Sequence, residues 1–213
     1  YCVTPAATDY ESMGIYVPGA YFSATNNGNG SYTCTVNESG SVGNYSATTA
    51  PVVIPVNTAG YSAQAAPTSY SSNGLTDYLS AGLIYVYPGC RGRNNGKNSD
   101  GSSFAGGAPW GVTDLKAAVR CLRHNASALP GRLSNIFTFG HSGGGAQSSL
   151  MGATGDSALY APYLSSIGAV FTDDSGSAIS DAIAGSMCWC PITSLNVANE
   201  AYEWMMGQFS TTG

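Results

Sequence analysis

Charged side chains are scarce in this sequence: Asp, Glu, Lys and Arg make up 9% of its 213 residues, against about 25% in an average soluble domain. Only seven of them are Lys or Arg, the net charge is −5, and no basic run occurs. Nucleic acid and anionic membrane are therefore poor candidate partners. No apolar stretch approaches the roughly 20 residues that a membrane-spanning helix needs. Hydrophobic residues nevertheless make up 43%, which predicts one globular core.

Histidine is scarce as well, because His124 and His141 are the only two. The pair Cys188 and Cys190 has no matching second pair, so we expect no zinc site, and no other metal or organic cofactor is indicated. Six cysteines are present: Cys2, Cys34, Cys90, Cys121, Cys188 and Cys190. Disulfides are the favoured interpretation for most of them, with the pairing undetermined and buried thiols as the alternative.

Several features favour export from the cell. Ser, Thr, Asn and Gly replace charge as the polar surface, and the chain opens at Tyr1 without Met, as a processed end would. Four glycosylation sequons occur, at Asn29, Asn37, Asn44 and Asn125. We therefore expect a secreted, disulfide-bonded glycoprotein.

Short apolar runs alternate with helical patterns along the chain. The expected strands cover residues 13–18, 51–56, 83–87, 135–139 and 183–190, and the expected helices cover 76–81, 113–124, 143–154 and 198–206. In the second helix, Thr113 suits the N-cap and Asp114 the first turn. Residues 23–50, rich in Asn, Gly and Ser, are expected to form an irregular surface excursion. Alternating strands and helices predict a mostly parallel sheet with helices on both faces.

The motif Gly-x-Ser-x-Gly occurs once, centred on Ser142. A buried strand precedes it and a small-residue helix follows, which is the context of a nucleophile elbow. Such a sharp turn requires flanking residues without bulk, here Gly140, Gly143 and Gly144. The alternative is a glycine-rich turn with a structural serine. The context favours Ser142 as the nucleophile of an acyl-transfer reaction.

Backbone amides near Ser142 are the candidate oxyanion donors. Gly143 follows the serine at the helix N-terminus, where amide N–H groups lack helical partners. A second donor is expected from the loop after strand 51–56, where many esterases carry three glycines. This sequence has Thr58-Ala-Gly60 there, so the amides of Ala59 and Gly60 are the candidates.

Five segments together resemble the tannase and feruloyl-esterase-like group of α/β-hydrolases. They are Pro-Gly-Cys-Arg-Gly-Arg (88–93), Gly-His-Ser-Gly-Gly-Gly-Ala-Gln (140–147), Tyr-Ala-Pro-Tyr-Leu (160–164), Cys-Pro-Ile-Thr-Ser-Leu (190–195) and Ala-Tyr-Glu-Trp (201–204). The resemblance implies an α/β-hydrolase fold and hydrolysis of small aromatic acyl esters, such as galloyl or hydroxycinnamoyl esters. On this interpretation residues 1–213 are the N-terminal portion of one catalytic domain, incomplete because C-terminal strands and a lid are missing.

A general base for Ser142 is not evident in the sequence. His141 is expected to point into the interior and His124 to be solvated at a helix end, and Asp173 and Asp174 come too early to be the triad acid. The resemblance implies that a lid, an Asp and a His follow residue 204. We therefore expect a second polypeptide to supply the acid and base.

The sequence indicates less clearly which residues contact the substrate. Arg91 and Arg93 are candidates to face a carboxylate or a phenol, with a structural loop role as the alternative, and Trp204 is a candidate for the acyl pocket. Two other functions stay open: a non-catalytic hydrolase-like binding or assembly protein, and a serine hydrolase acting on peptides or polyesters.

Overall fold

A computed structural model describes residues 1–93 and 97–197 of the chain. Nine strands and four α-helices occur in those residues. The strands are Met13–Tyr16 (β1), Phe22–Asn26 (β2), Tyr32–Val36 (β3), Ser41–Val42 (β4), Tyr45–Ser46 (β5), Val52–Val56 (β6), Ile84–Pro88 (β7), Ile136–His141 (β8) and Gly185–Trp189 (β9). The helices are Thr76–Ser80 (α1), Trp110–His124 (α2), Gly143–Ala153 (α3) and Ala161–Ser166 (α4). The helix expected at 198–206 lies outside the described residues.

Five of these strands form one sheet in the order β1-β7-β6-β8-β9. Strands β7, β6, β8 and β9 run parallel, whereas β1 joins β7 antiparallel. The prediction of a mostly parallel sheet is therefore confirmed. Parallel strands end at one common edge, so the loops that follow β6, β7, β8 and β9 gather there.

Strand β6 lies in the middle of the sheet, and all five of its residues are buried. Its side chains alternate between two cores, as the period of a strand requires. Val52, Ile54 and Val56 pack with α2 residues such as Leu115, while Val53 packs on the opposite face near Tyr78 and Leu79 of α1. Helices thus cover both faces, as expected.

Two expectations about local structure are wrong. Residues 23–50 are not irregular: β2 pairs with β3 and β4 with β5 as antiparallel hairpins. Their residues are mostly exposed, so no apolar alternation marks them in the sequence. Helix α2 begins at Trp110, three residues before the expected cap at Thr113. Asp114 is consequently not a first-turn residue but a fully buried one.

The six cysteines, all within the described residues, are free thiols, so the expected disulfides are not present. Cys34 is exposed on the β2–β3 hairpin, whereas Cys90 is fully buried after β7. Burial raises the pKa of the Cys2 thiol to about 12, which disfavours the reactive thiolate. Secretion loses this support and stays an expectation.

A buried charge cluster fixes α2 to the segment before β9. The Asp181 side chain accepts hydrogen bonds from Lys116 Nζ at 2.7 Å and Arg120 Nε at 2.7 Å. Lys116 and Asp181 are 0% and 1% exposed. Burial by itself raises the pKa of Asp181, but the bonds from Lys116 and the other donors outweigh it and lower that pKa.

No helix of residues 1–93 and 97–197 is both long and apolar enough to cross a lipid bilayer.

Replacing Asp181 by Asn is expected to lower the free energy of unfolding by about 3 kcal/mol, because it leaves two buried cations without their counter-charge. Asp174→Asn, which removes an exposed carboxylate nearby, is the matched control and should change stability by less than about 0.5 kcal/mol. Urea unfolding curves at pH 7 measure both. Since the pKa of Asp181 is lowered, its stabilisation is complete above about pH 4 and decreases at lower pH. Equal midpoints for the two variants would contradict the assignment.

Candidate active site

Ser142 occupies the sharp turn between β8 and α3. Its backbone has φ 59° and ψ −121°, a conformation that costs a non-glycine residue about 1–3 kcal/mol. The turn is held by its surroundings: Ser142 N donates to Trp189 O at 2.9 Å, and Ser142 O accepts from Ala146 N at 3.0 Å. The residue is half-buried, so its hydroxyl stands at the strand edge and not inside the core. This is the strained strand-to-helix geometry of a nucleophile elbow.

Backbone contacts around the elbow leave no room for side chains. A Cβ at Gly144 would lie 1.9 Å from Val56 O, and one at Gly140 would lie 2.5 Å from the Gly144 carbonyl. A Cβ at Gly145 would lie 2.8 Å from Trp189 O. The first turn of α3 therefore packs directly on the ends of β6 and β9. Only glycine permits this approach.

The loop after β6 reaches the elbow. A Cβ at Gly143 would lie 2.5 Å from Thr58 O, 2.6 Å from Tyr61 N and 3.1 Å from Gly60 N. Ala59–Tyr61 forms a single 3₁₀ turn in which Gly60 has φ 59° and Tyr61 has φ 61°. The structure thus brings the three candidate oxyanion residues, Gly143, Ala59 and Gly60, together at the serine. The amides that begin a helical turn have no partner within it, so they are available to a substrate oxygen.

Two buried glutamines that the sequence did not single out hold this loop. Gln64 accepts a bond from Asn57 N through Oε1 and donates from Nε2 to Pro55 O at 3.2 Å and Pro88 O at 2.6 Å. Gln147 of α3 accepts a bond at 2.9 Å from the Thr58 hydroxyl. Pro55 was the available signal, because pairing of β6 with β7 stops at Val53, before this proline. The carbonyls left beyond that point need another donor.

Tyr61 forms a further hydrogen bond between two loops beside the elbow. Its hydroxyl donates to the carbonyl oxygen of Ile192, in the segment that follows β9. The loops after β6 and β9 are thereby joined across the elbow.

Arg91 is not free to meet a substrate, although it was a candidate. Its guanidinium donates to both carboxylate oxygens of Asp114 at 2.7 and 2.9 Å and lies 3.4 Å from Glu11. The side chain is 1% exposed and stacks 4.1 Å from the centre of the Trp110 ring. Burial raises the pKa of Asp114 to about 6, even though Arg91 opposes that shift. Arg91 therefore has the structural role that was the alternative, while Trp204 lies outside the described residues.

The two histidines differ from expectation. His141 is exposed, not interior, because it continues the alternation of β8 on the side of Phe137 and Phe139, which are only half-buried. His124 ends α2, and its Nδ1 is shielded from solvent without a hydrogen-bond partner among the described residues. Asp173 binds Ser175 and Ser177 in a surface turn. Within residues 1–93 and 97–197, no group of three or more His, Cys, Asp or Glu is arranged to hold a metal.

The sheet order, the elbow and the loop beside it define an α/β-hydrolase. No protein-family model matches the chain, and no curated protein is similar to it. Solved structures are similar. The tannase of Fusobacterium nucleatum shares 37% identity over 97% of this chain, with a TM-score of 0.76. The tannin acyl hydrolase of Lactobacillus plantarum shares 31% over 96%, with a TM-score of 0.75. A tannin acyl hydrolase solved with ethyl gallate shares 31% over 98%, with a TM-score of 0.77.

Along nearly all of its own length the chain is similar to the tannase group of α/β-hydrolases. It spans about two fifths of the length of these structures, between 39% and 42%.

Replacing Gly143 by Ala is expected to reduce activity about a hundredfold, the scale of losing one oxyanion donor. The assay uses the catalytically complete protein, meaning this chain together with the sequence that supplies the acid and the base. The reason is steric, since the new methyl group would meet Thr58 O and Tyr61 N within 2.6 Å and separate the loop from the elbow. Gly19→Ala is the matched control, because no atom lies within 4 Å of a Cβ at that position. Steady-state kinetics with one ester measures both. Wild-type kcat in Gly143→Ala would refute the close approach.

Proposed function

We propose that this chain carries the nucleophile and oxyanion hole of a carboxylic ester hydrolase. The observation that supports this most is the strained backbone of Ser142 (φ 59°), followed directly by Gly143, which packs against the Ala59–Tyr61 turn. Ser142 Oγ attacks the acyl carbon, and the carbonyl oxygen becomes an oxyanion that accepts hydrogen bonds from the Gly143 amide and from Ala59 or Gly60. A base takes the serine proton and passes it to the departing alcohol, and water then releases the acid from the acyl-enzyme and restores the serine hydroxyl. No metal or cofactor takes part.

The proposed substrates are esters of aromatic acids, galloyl or hydroxycinnamoyl. The similar structures are tannases, and one tannin acyl hydrolase was solved with ethyl gallate. Aromatic residues of this chain occur in this region: the backbone of Tyr61 lies against Gly143, and Tyr61 and Tyr160 line the cavity beside α3. Peptides and polyesters are the competing substrates.

A fluorophosphonate probe is expected to label the catalytically complete protein at Ser142, because the probe reacts only with an activated serine. Ser142→Ala should abolish labelling, and Ser149→Ala, in the helix α3 that follows and bonded to Ala146 O, should retain it. Methyl gallate and methyl ferulate should be hydrolysed faster than a short aliphatic ester. Absence of labelling in the wild type would favour the non-catalytic binding or assembly protein instead.

We further propose that the base His and the acid Asp belong to a separate polypeptide or to a further segment of a longer chain. Strand β9 is the sheet edge in the described residues. On the face beside it, Met187 is 50% and Trp189 is 51% exposed. Phe139 and Met187 are direct neighbours in the β8–β9 register. A parallel edge with apolar residues on its face is suited to an added strand and to helices that cover it.

Active material is expected to contain, besides the 21.7 kDa chain, the additional sequence that covers this edge. Met187→Lys should weaken that association and lower activity, because it places a charge on a face to be buried. Leu159→Lys, at a residue 81% exposed elsewhere, is the control. Intact mass spectrometry and a denaturing gel measure the composition. A single 21.7 kDa species in fully active material would defeat this proposal.

A further inference from the structure

A cavity of about 360 Å³ lies between Tyr61 and helix α3, a volume within the range of ligand sites. Its described wall is formed largely by apolar and aromatic groups, among them Tyr61, Pro109, Leu150 and Tyr160. Tyr61 belongs to the Ala59–Tyr61 turn after β6, the oxyanion loop, and Leu150 to α3, the helix that begins directly after Ser142. The cavity therefore borders both elements that carry the candidate oxyanion donors.

Two arginines line the same cavity, and they differ in whether a carboxylate neutralises the guanidinium. Arg91 is neutralised by Asp114 and Glu11. Arg93 is exposed, and within the described part of the chain its side chain forms no ion pair or hydrogen bond. Among the described residues that line the cavity, none is an Asp or Glu.

Arg93 is held at this place by its backbone. Its amide donates to Tyr61 O at 2.9 Å, and its Nη2 lies 3.8 Å from the position of a Cβ at Gly60. The guanidinium therefore stands beside the oxyanion loop, with an apolar wall next to it.

We propose that Arg93 is a specificity residue that binds a carboxylate on the substrate, while the ring bearing that carboxylate occupies the apolar cavity. This rests on the proposed esterase function. Guanidinium groups bind carboxylates through paired, charge-assisted hydrogen bonds. A phenol is neutral at pH 7 and does not require a full positive charge. The favoured substrates are aromatic esters that retain one free carboxylate, on the acyl ring or on the alcohol ring.

The test compares matched pairs of esters in the catalytically complete protein. Each pair has the same rings, with a free carboxylate in one member and the neutral primary carboxamide in the other. One pair carries this group on the acyl ring and one on the alcohol ring, which identifies the ring that enters the cavity. The measured quantity is the ratio of kcat/KM for the carboxylate to that for the carboxamide.

In Arg93→Gln this ratio is expected to fall at least tenfold for one of the two pairs, and raised salt should reduce the wild-type ratio. Arg132→Gln is the matched control: it removes an exposed arginine that precedes β8 at the opposite edge of the sheet, and the ratio should stay at its wild-type value. An unchanged ratio for both pairs in Arg93→Gln overturns the inference, including the case in which all rates fall together. If the wild type hydrolyses none of the esters, the proposed function fails instead.

Discussion

The contact between the backbone of the elbow and the end of β6 is the constraint on which the site depends. Gly144 approaches Val56 O so closely that a Cβ would lie 1.9 Å away. This approach sets the position of α3 relative to the sheet. Gly143 is consequently placed against residues 58–61, and the amides of both segments face the same region. A helix with ordinary side chains in its first turn would stand several ångströms further out, and the oxyanion donors would not converge.

Buried polar side chains then transmit this arrangement to the rest of the sheet edge. Gln147 joins α3 to Thr58, and Gln64 joins the ends of β6 and β7. The Arg91–Asp114 pair connects the next loop to α2. Each connection satisfies donors or acceptors that would be costly to bury alone. The loops after β6 and β7 are thereby fixed by bonds between distant residues, so this part of the site is organised before a substrate binds.

The sequence predicted those parts of the fold that local patterns determine. Buried runs such as 51–56 and 135–139 identified the central strands, because continuous apolar residues are needed where helices cover both faces of a sheet. The glycines around Ser142 identified the elbow, since their requirement is steric and local. Predictions failed where partners distant in the sequence decide. Thr113 and Asp114 look like a helix start, yet Asp114 is buried because Arg91, 23 residues earlier, binds it.

The same limit separates the two arginines of the 88–93 segment. Both carry the same charge in the same short motif, and nothing local distinguishes them. Their roles differ because Glu11 and Asp114 converge on Arg91, whereas no carboxylate of the described chain reaches Arg93. Pro55 indicates that a carbonyl near the end of β6 needs a donor, but no local pattern identifies Gln64 or Gln147, since their partners lie in other parts of the chain.

The positions of the two histidines concern the general base that the proposed mechanism requires. Helix α2 starts at Trp110, directly after the cavity residue Pro109, and its 15 residues extend about 22 Å away from that point. His124 is its last residue, far beyond the roughly 3 Å that a general base needs to reach a serine hydroxyl. His141 precedes the nucleophile, but its side chain is exposed on the face of the half-buried Phe137 and Phe139. Neither histidine of the sequence is therefore placed to act as the general base of Ser142, the nucleophile of the proposed mechanism.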